Sequence, residues 1–234
     1  WEAGNKNIPG IYIEFKEPWL NPKGFEQIVY DVLANTQDMN IIEKPEPEDT
    51  PFYINNGTIN VGNTNGKVIL QTFSLESLVR VAEVFQGKVP MCFLLWKGTG
   101  ATDLTYDDPL GYASFINLGV KYKAHFIGPC IAGAPNDYPE LDQPWQDYLI
   151  HRAKMKNHPY TFDTYDQMAK YFGQYNFGVA DGMFNPPYLD ALFTNHSDMS
   201  INYMITHGWR KSPASQTLVD AREVLRKLGY LDNN

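Results

Sequence analysis

Two side chains of opposite charge lie close together near the amino end of the chain. Glu14 and Lys16 belong to residues 10–18, in which the alternate residues Ile11, Ile13 and Phe15 are apolar. Because a β-strand alternates its side chains between two faces, Glu14 and Lys16 share one face with Tyr12. Charges on an enclosed face are costly unless they are paired or bind an ion, so the pattern indicates a site for a metal and an anion. A structural salt bridge without chemistry is the alternative that the spacing leaves open.

The elements that must position this pair follow a repeating order of strand and helix. Apolar runs predict strands at residues 10–18, 68–73, 89–96, 124–129, 158–162 and 177–184. Helical spacing and caps predict helices at residues 24–35, after Ser74, at 109–122, 145–156 and 163–175, and a short one from Pro187. Six consecutive units with continuous apolar strands predict a parallel sheet covered by helices.

Two stretches fall outside this repeat. Residues 41–66 are rich in Pro, Gly and Asn, which predicts a polar insertion above the sheet. Residues 194–234 are predicted as a tail behind a domain that spans residues 1–193. The tail contains one helix, capped by Ser212 and ended by Gly229, that packs on the outside of the domain.

Length and composition narrow the class of protein. A chain of 234 residues suits one large domain, including a (β/α)8 barrel. The net charge of -8 and the scattered basic residues argue against a nucleic-acid partner. Cys92 and Cys130 are too few for a disulfide framework and wrongly spaced for a zinc site. No apolar run is long enough to predict a membrane span.

Five short segments lie in order at the predicted strand ends. They are GIYIEFKEPW at 10–19, VILQTF at 68–73, IGP at 127–129, HPYTF at 158–162 and GVADGMF at 178–184. Together they resemble the glycerophosphodiester phosphodiesterase family, specifically its periplasmic type. The resemblance covers residues 8 to about 193, and the Glu-x-Lys and His-Pro-Tyr-Thr segments are its specific parts.

That resemblance implies a fold, a reaction and a location. Members of the family fold as a (β/α)8 TIM barrel, of which this chain would supply about six of the eight strand–helix units. They hydrolyse glycerophosphodiesters to glycerol 3-phosphate and an alcohol with a divalent cation, commonly calcium or magnesium. Similarity to the periplasmic type implies a periplasmic or secreted protein.

The resemblance also assigns roles to individual residues. Glu14 corresponds to a carboxylate that binds the metal, and Lys16 to the catalytic lysine that neutralises the substrate phosphate. Gln71, Trp96 and Tyr160 correspond to positions on the rim of the barrel, where they would bind the substrate. For Trp96, filling of the core is an equally open alternative.

The chain departs from the family pattern at its beginning. The family's first strand carries His-Arg and Glu-Asn, and its second carries Glu-x-Asp with a His-Asp pair soon after; neither strand has a counterpart here. The catalytic histidines and two of the three metal carboxylates belong to those strands. Residues 1–234 alone are therefore expected to bind metal poorly and to catalyse little.

Few residues of the chain could replace the absent catalytic histidines and metal carboxylates. His158 precedes Pro159 at the start of a predicted strand, which places its side chain toward the far end of the barrel. His125 is predicted as a core histidine and His151 as a solvated one. Asp181 could bind a metal, but a hydrogen bond within its own turn is the favoured interpretation.

Two alternatives to a complete enzyme remain open at this point. One is a barrel without catalytic activity that binds a phosphorylated ligand or a partner. The other is a homo-oligomer, or a preceding segment, that completes the barrel by pairing with its exposed edges.

Overall fold

The computed structural model describes residues 11–35, 68–97, 108–172 and 189–208, together with Arg226 and Gly229. Three predictions lie outside these residues. They concern the insertion at 41–66, the sixth strand with Asp181, and the tail helix after Ser212. The short helix predicted from Pro187 begins outside them, and residues 189–194, which are described, are not helical. The chain divides into two compact units, residues 1–196 and residues 197–234.

A parallel β-sheet forms the centre of the first unit. Its strands are β1 (Ile11–Glu14), β2 (Val68–Thr72), β3 (Met91–Leu95), β4 (Phe126–Pro129) and β5 (Lys156–Asn157). Each strand pairs in parallel with the next one along the chain, in the order β1 to β5. The predicted α/β class with a parallel sheet is therefore confirmed.

Helices follow the strands as the sequence predicts. They are α1 (Phe25–Asn35), α2 (Leu75–Phe85), α3 (Pro109–Lys121), α4 (Pro144–Arg152) and α5 (Tyr165–Tyr171). Ser74 caps α2 by accepting a hydrogen bond from the Ser77 amide, and Asp108 caps α3 by accepting one from Gly111. The second unit contains α6 (Ser197–Thr206), which the sequence pattern does not predict. Within the described ranges, no helix has the length and apolar character that crossing a membrane requires.

The predicted boundaries around β5 are wrong. Helix α4 ends at Arg152 rather than at residue 156, because the chain turns at Lys154, whose φ is +64°. Strand β5 then occupies Lys156–Asn157 instead of residues 158–162. Pro159 has no amide hydrogen for the ladder, and beyond it only Tyr160 forms a single parallel bridge, with Cys130.

The two faces of the sheet have different packing. The face toward the helices carries the larger core, in which Phe93 stacks on Phe115 of α3 with ring centroids 4.2 Å apart. The other face, called here the concave face, carries a smaller apolar cluster of Cys92, Leu94 and Phe126. Gly128 lies on this face, where an added Cβ would lie 2.7 Å from Leu94 Cδ2, so a side chain there is excluded.

Contacts between the two edge strands show that the sheet is strongly curled. In a flat sheet β1 and β5 would lie about 19 Å apart, four strand spacings of about 4.8 Å. The hydroxyl of Tyr12, on β1, nevertheless lies 3.1 Å from Nδ1 of His158, just after β5. The chain at residues 190–193 runs along β5, and its Phe193 ring lies 4.8 Å from the Tyr12 ring. Side chains from opposite edges therefore meet over the concave face.

Two buried carboxyl groups lie beside β5, away from the concave face. The side-chain amide of Asn157 donates to Oδ1 of Asp142 at 2.9 Å and to Oδ1 of Asp147 at 2.8 Å. Both acids are 1% exposed. Burial raises the pKa of Asp142 from 3.8 to about 6, and burial together with the neighbouring Asp142 raises the pKa of Asp147. The pair therefore favours a protonated state in the folded chain.

Because of this pair, the stability of the chain should depend on pH, and Asp147→Asn should weaken that dependence. A raised pKa contributes stability that is present at low pH and is lost as the pH rises from about 4 through about 6. The variant needs no second ionisation, so it should exceed the parent in the free energy of unfolding at pH 8, and by more than it does at pH 4. Urea denaturation across this pH range measures the difference, with exposed Asp137→Asn as control. A difference that does not vary with pH would contradict the prediction.

Candidate functional site

Glu14 and Gln71 lie side by side at the end of the sheet where the parallel strands terminate, called here the carboxyl edge. Glu14 is the last residue of β1, and it is aligned in the strand register with Gln71 of β2. The Gln71 Oε1 atom is buried and has no hydrogen-bond partner among the residues that the structure describes. A carboxylate and an unpaired amide oxygen are both ligands that a hard cation accepts.

Lys16 lies two residues beyond the end of β1. Its ammonium is 3.5 Å from Oε2 of Glu14, and the two side chains are 71% and 23% exposed. An ion pair with so much exposure contributes little to stability. The ammonium is therefore accessible to an anion above the end of the strand.

Two clefts flank this pair, and both are lined by Glu14 and Phe73. The first cleft, of about 260 Å³, is also lined by Gln71, Leu94, Tyr160, Thr161, Phe193, Thr194 and Asn195. The second cleft, of about 280 Å³, is also lined by Phe15, Lys16, Glu17, Trp19, Thr72, Ser74 and Trp96. The structure thus brings the five residues that the sequence selects into two adjoining clefts.

The ring of Phe73 separates the two aromatic residues of the predicted rim. Its centroid lies 6.5 Å from that of Trp96 and 5.8 Å from that of Tyr160, both in edge-on arrangements. The Tyr160 hydroxyl donates a hydrogen bond to the Leu95 carbonyl at 3.0 Å, and burial raises its pKa. Tyr160 therefore stays protonated with its hydrogen committed to the backbone, and it offers a ring and an acceptor oxygen to a ligand.

The wall opposite β1 comes from residues that the sequence does not select. Phe193 follows the path of β5, because its amide donates to the Pro159 carbonyl and its carbonyl accepts from Phe162 at 2.8 Å. Asn195 is held by Asp163, which accepts from the Asn195 backbone and side-chain amides, both at 2.9 Å. Among the cleft residues that the sequence does not select, Phe73 has a signal that could have found it, since it lies two residues beyond Gln71 on the same face.

All five histidines lie in described parts of the chain, and none lines either cleft. His158 reaches over the concave face, where its ring stacks at 4.1 Å on Phe126, the first residue of β4, away from the carboxyl edge. Burial lowers its pKa from 6.5 to about 4, so the ring is neutral at pH 7. Its hydrogen bond to Tyr12 therefore joins two neutral groups.

Two further histidines have structural partners. His125 is completely buried, and its Nδ1 accepts a hydrogen bond from the Met91 amide at 3.0 Å, as expected of a core histidine. The prediction of a solvated His151 is wrong, because its Nε2 lies 2.9 Å from Oδ2 of Asp190 and its side chain is 15% exposed. Asp190 also pairs with Lys156, so this group fastens the 190–193 segment to β5.

The residues present fit a divalent cation in part. Glu14 and the unpaired oxygen of Gln71 supply two adjacent oxygen ligands, whereas calcium takes six to eight. In the described ranges, no three His, Cys, Asp or Glu side chains come together as a metal site. A cation at this edge would thus take its remaining oxygens from water, a ligand or other parts of the protein.

Comparison with known proteins gives no match, either among models of protein families or among curated sequences. The functional argument therefore depends on the residues and geometry of the two clefts.

The unpaired oxygen of Gln71 predicts an unusual effect on stability. Gln71→Met removes a buried acceptor that has no partner, so the free energy of unfolding should rise by about 1 kcal/mol. Thr72→Val is the matched control, because the buried Thr72 hydroxyl donates to the Phe15 carbonyl at 2.7 Å. Its loss should lower the free energy by about 1 to 2 kcal/mol. Chemical denaturation measures both, and equal destabilisation by the two variants would contradict an unpaired oxygen.

Proposed function

We propose that the first unit is the larger part of a glycerophosphodiester phosphodiesterase barrel, and that its two clefts form the phosphate-binding side of the active site. The observation that carries this proposal is the meeting of Glu14, Lys16 and Gln71 at the carboxyl edge of a curled parallel sheet. Enzymes with (β/α)8 barrels bind their substrates at this edge.

The curvature of the sheet and the exposed surface of α1 support a barrel. Contacts between Tyr12 and His158 require the strands to bend around the concave face, as strands of a barrel do. Ile28 and Val32, one turn apart on α1, are each 59% exposed. An apolar pair of this kind suits a helix that packs against a neighbouring strand–helix unit.

Each candidate residue has a role that its chemistry permits. Lys16 binds the phosphate of the diester through its exposed ammonium and offsets negative charge on the phosphoryl oxygens. Glu14 and Gln71 hold the divalent cation, which when bound would stabilise the same charge as a Lewis acid. Trp96 and Tyr160 offer ring surfaces on either side of Phe73 to the glycerol and the alcohol.

Phosphate-ligand binding without catalysis is the second candidate function. The observation in its favour is that no histidine lines either of the described clefts, so a histidine for proton transfer is absent there. Phosphorus NMR of a glycerophosphodiester incubated with the protein and calcium distinguishes the two. Formation of glycerol 3-phosphate supports the enzyme, whereas binding without turnover supports the second function.

Binding of glycerol 3-phosphate to the 234-residue chain tests the phosphate site. Lys16→Met removes a charge-assisted hydrogen bond, so the dissociation constant should rise by about tenfold or more. Calorimetric titration measures the constant at fixed ionic strength, because exposed charges are screened by salt.

Lys121→Met is the matched control for that experiment. Lys121 is an exposed lysine in the last turn of α3 and lines neither cleft, so its loss changes the net charge equally. Glycerol is the control ligand, since it lacks the phosphate. Equal weakening by the two variants, or equal affinity for glycerol and glycerol 3-phosphate, would overturn the proposal.

A further inference from the structure

The loop after β1 is held by a single side chain from the neighbouring helix. Arg80 of α2 donates from Nη1 to the Pro18 carbonyl at 3.0 Å. From Nη2 it donates to the carbonyls of Pro22 at 2.8 Å and Asn21 at 3.4 Å. One guanidinium thus fixes three backbone carbonyls within residues 18–22, in the loop between Lys16 and α1.

The charge of Arg80 is balanced beneath this loop. Its Nε lies 2.9 Å from Oε1 of Glu26, at the start of α1, and the two side chains are 12% and 4% exposed. An arginine with this burial and pairing exerts little field at a distance, and its planar donors are used to hold the backbone. Its position between α1 and α2 makes it a structural clamp on the loop.

The clamped loop begins with a backbone conformation that needs support. Glu17 has φ +44°, in the left-handed region that residues other than glycine seldom adopt. Directly before it, the Lys16 carbonyl accepts a hydrogen bond from the Asn21 side chain at 2.8 Å. Such strain persists where surrounding contacts fix it, and it concentrates at functional sites.

We propose that Arg80 is a positioning residue for the phosphate site: by holding residues 18–22 it keeps the sharp turn at Glu17 and so keeps Lys16 above the second cleft. Lysine has a long flexible side chain, so the placement of its backbone limits where the ammonium can reach. The inference rests on the proposed function of Lys16 and assigns Arg80 no contact with the ligand.

A double-mutant cycle tests whether Arg80 acts through Lys16. Arg80→Gln keeps a polar side chain but cannot span three carbonyls, so it should weaken binding of inorganic phosphate by about fivefold. In a Lys16→Met background the same change should have no further effect, because the group that it positions is absent. Calorimetric titration of the four proteins at one salt concentration measures the coupling.

Two controls separate positioning from stability and from net charge. Glu26→Gln removes the ion pair with Arg80 but leaves the three carbonyl contacts, so phosphate affinity should stay within about twofold of the parent. Lys121→Gln removes one positive charge on α3 and should likewise change little. Hydrogen exchange of the Leu20 and Asn21 amides, which donate to the carbonyls of Glu17 and Pro18, should accelerate in Arg80→Gln only.

The outcomes distinguish this inference from the function on which it rests. If the parent chain does not bind phosphate, or Lys16→Met binds it equally well, the proposed function falls and the role of Arg80 falls with it. If Lys16→Met loses affinity while Arg80→Gln does not, only the positioning role is overturned. An effect of Arg80→Gln that persists without Lys16, or that Glu26→Gln reproduces, also overturns it.

Discussion

The contact between Tyr12 and His158 requires a curved sheet, and the candidate site depends on that curvature. Strands at opposite edges of a five-stranded sheet can share a hydrogen bond of 3.1 Å only if the sheet curls around the side chains between them. Small groups on the concave face permit that curvature, as the exclusion of a Cβ at Gly128 by Leu94 shows. The curl turns the carboxyl ends of β1 and β2 toward residues 193–195, and the first cleft forms between them.

Stability and site chemistry are concentrated in different parts of the sheet. The helix-covered face buries the larger apolar core, which supplies most of the area removed from water. At the carboxyl edge the chain instead keeps an unpaired oxygen on Gln71, an exposed ion pair at Glu14 and a left-handed residue at Glu17. None of these features favours folding, and their grouping at one edge is what a binding site built on a stable scaffold shows.

The sequence predicted the parallel α/β sheet and the residues at its strand ends, because period-two strands and capped helices are local signals. Ser74 illustrates this, since it caps α2 as expected, and α3 begins at Pro109 as the pattern predicts. Contacts between distant segments left no such signal. The pairing of His151 with Asp190, and the wall that Phe193 contributes, depend on the chain returning along β5, which no nearby residue encodes.

A crystal structure of the chain with glycerol 3-phosphate and calcium tests the central claim most directly. The account predicts phosphate density beside the Lys16 ammonium in the second cleft, with a calcium ion in contact with Glu14 and Oε1 of Gln71. A phosphate bound elsewhere, or both clefts empty when calorimetry shows the chain to be saturated, would contradict the account.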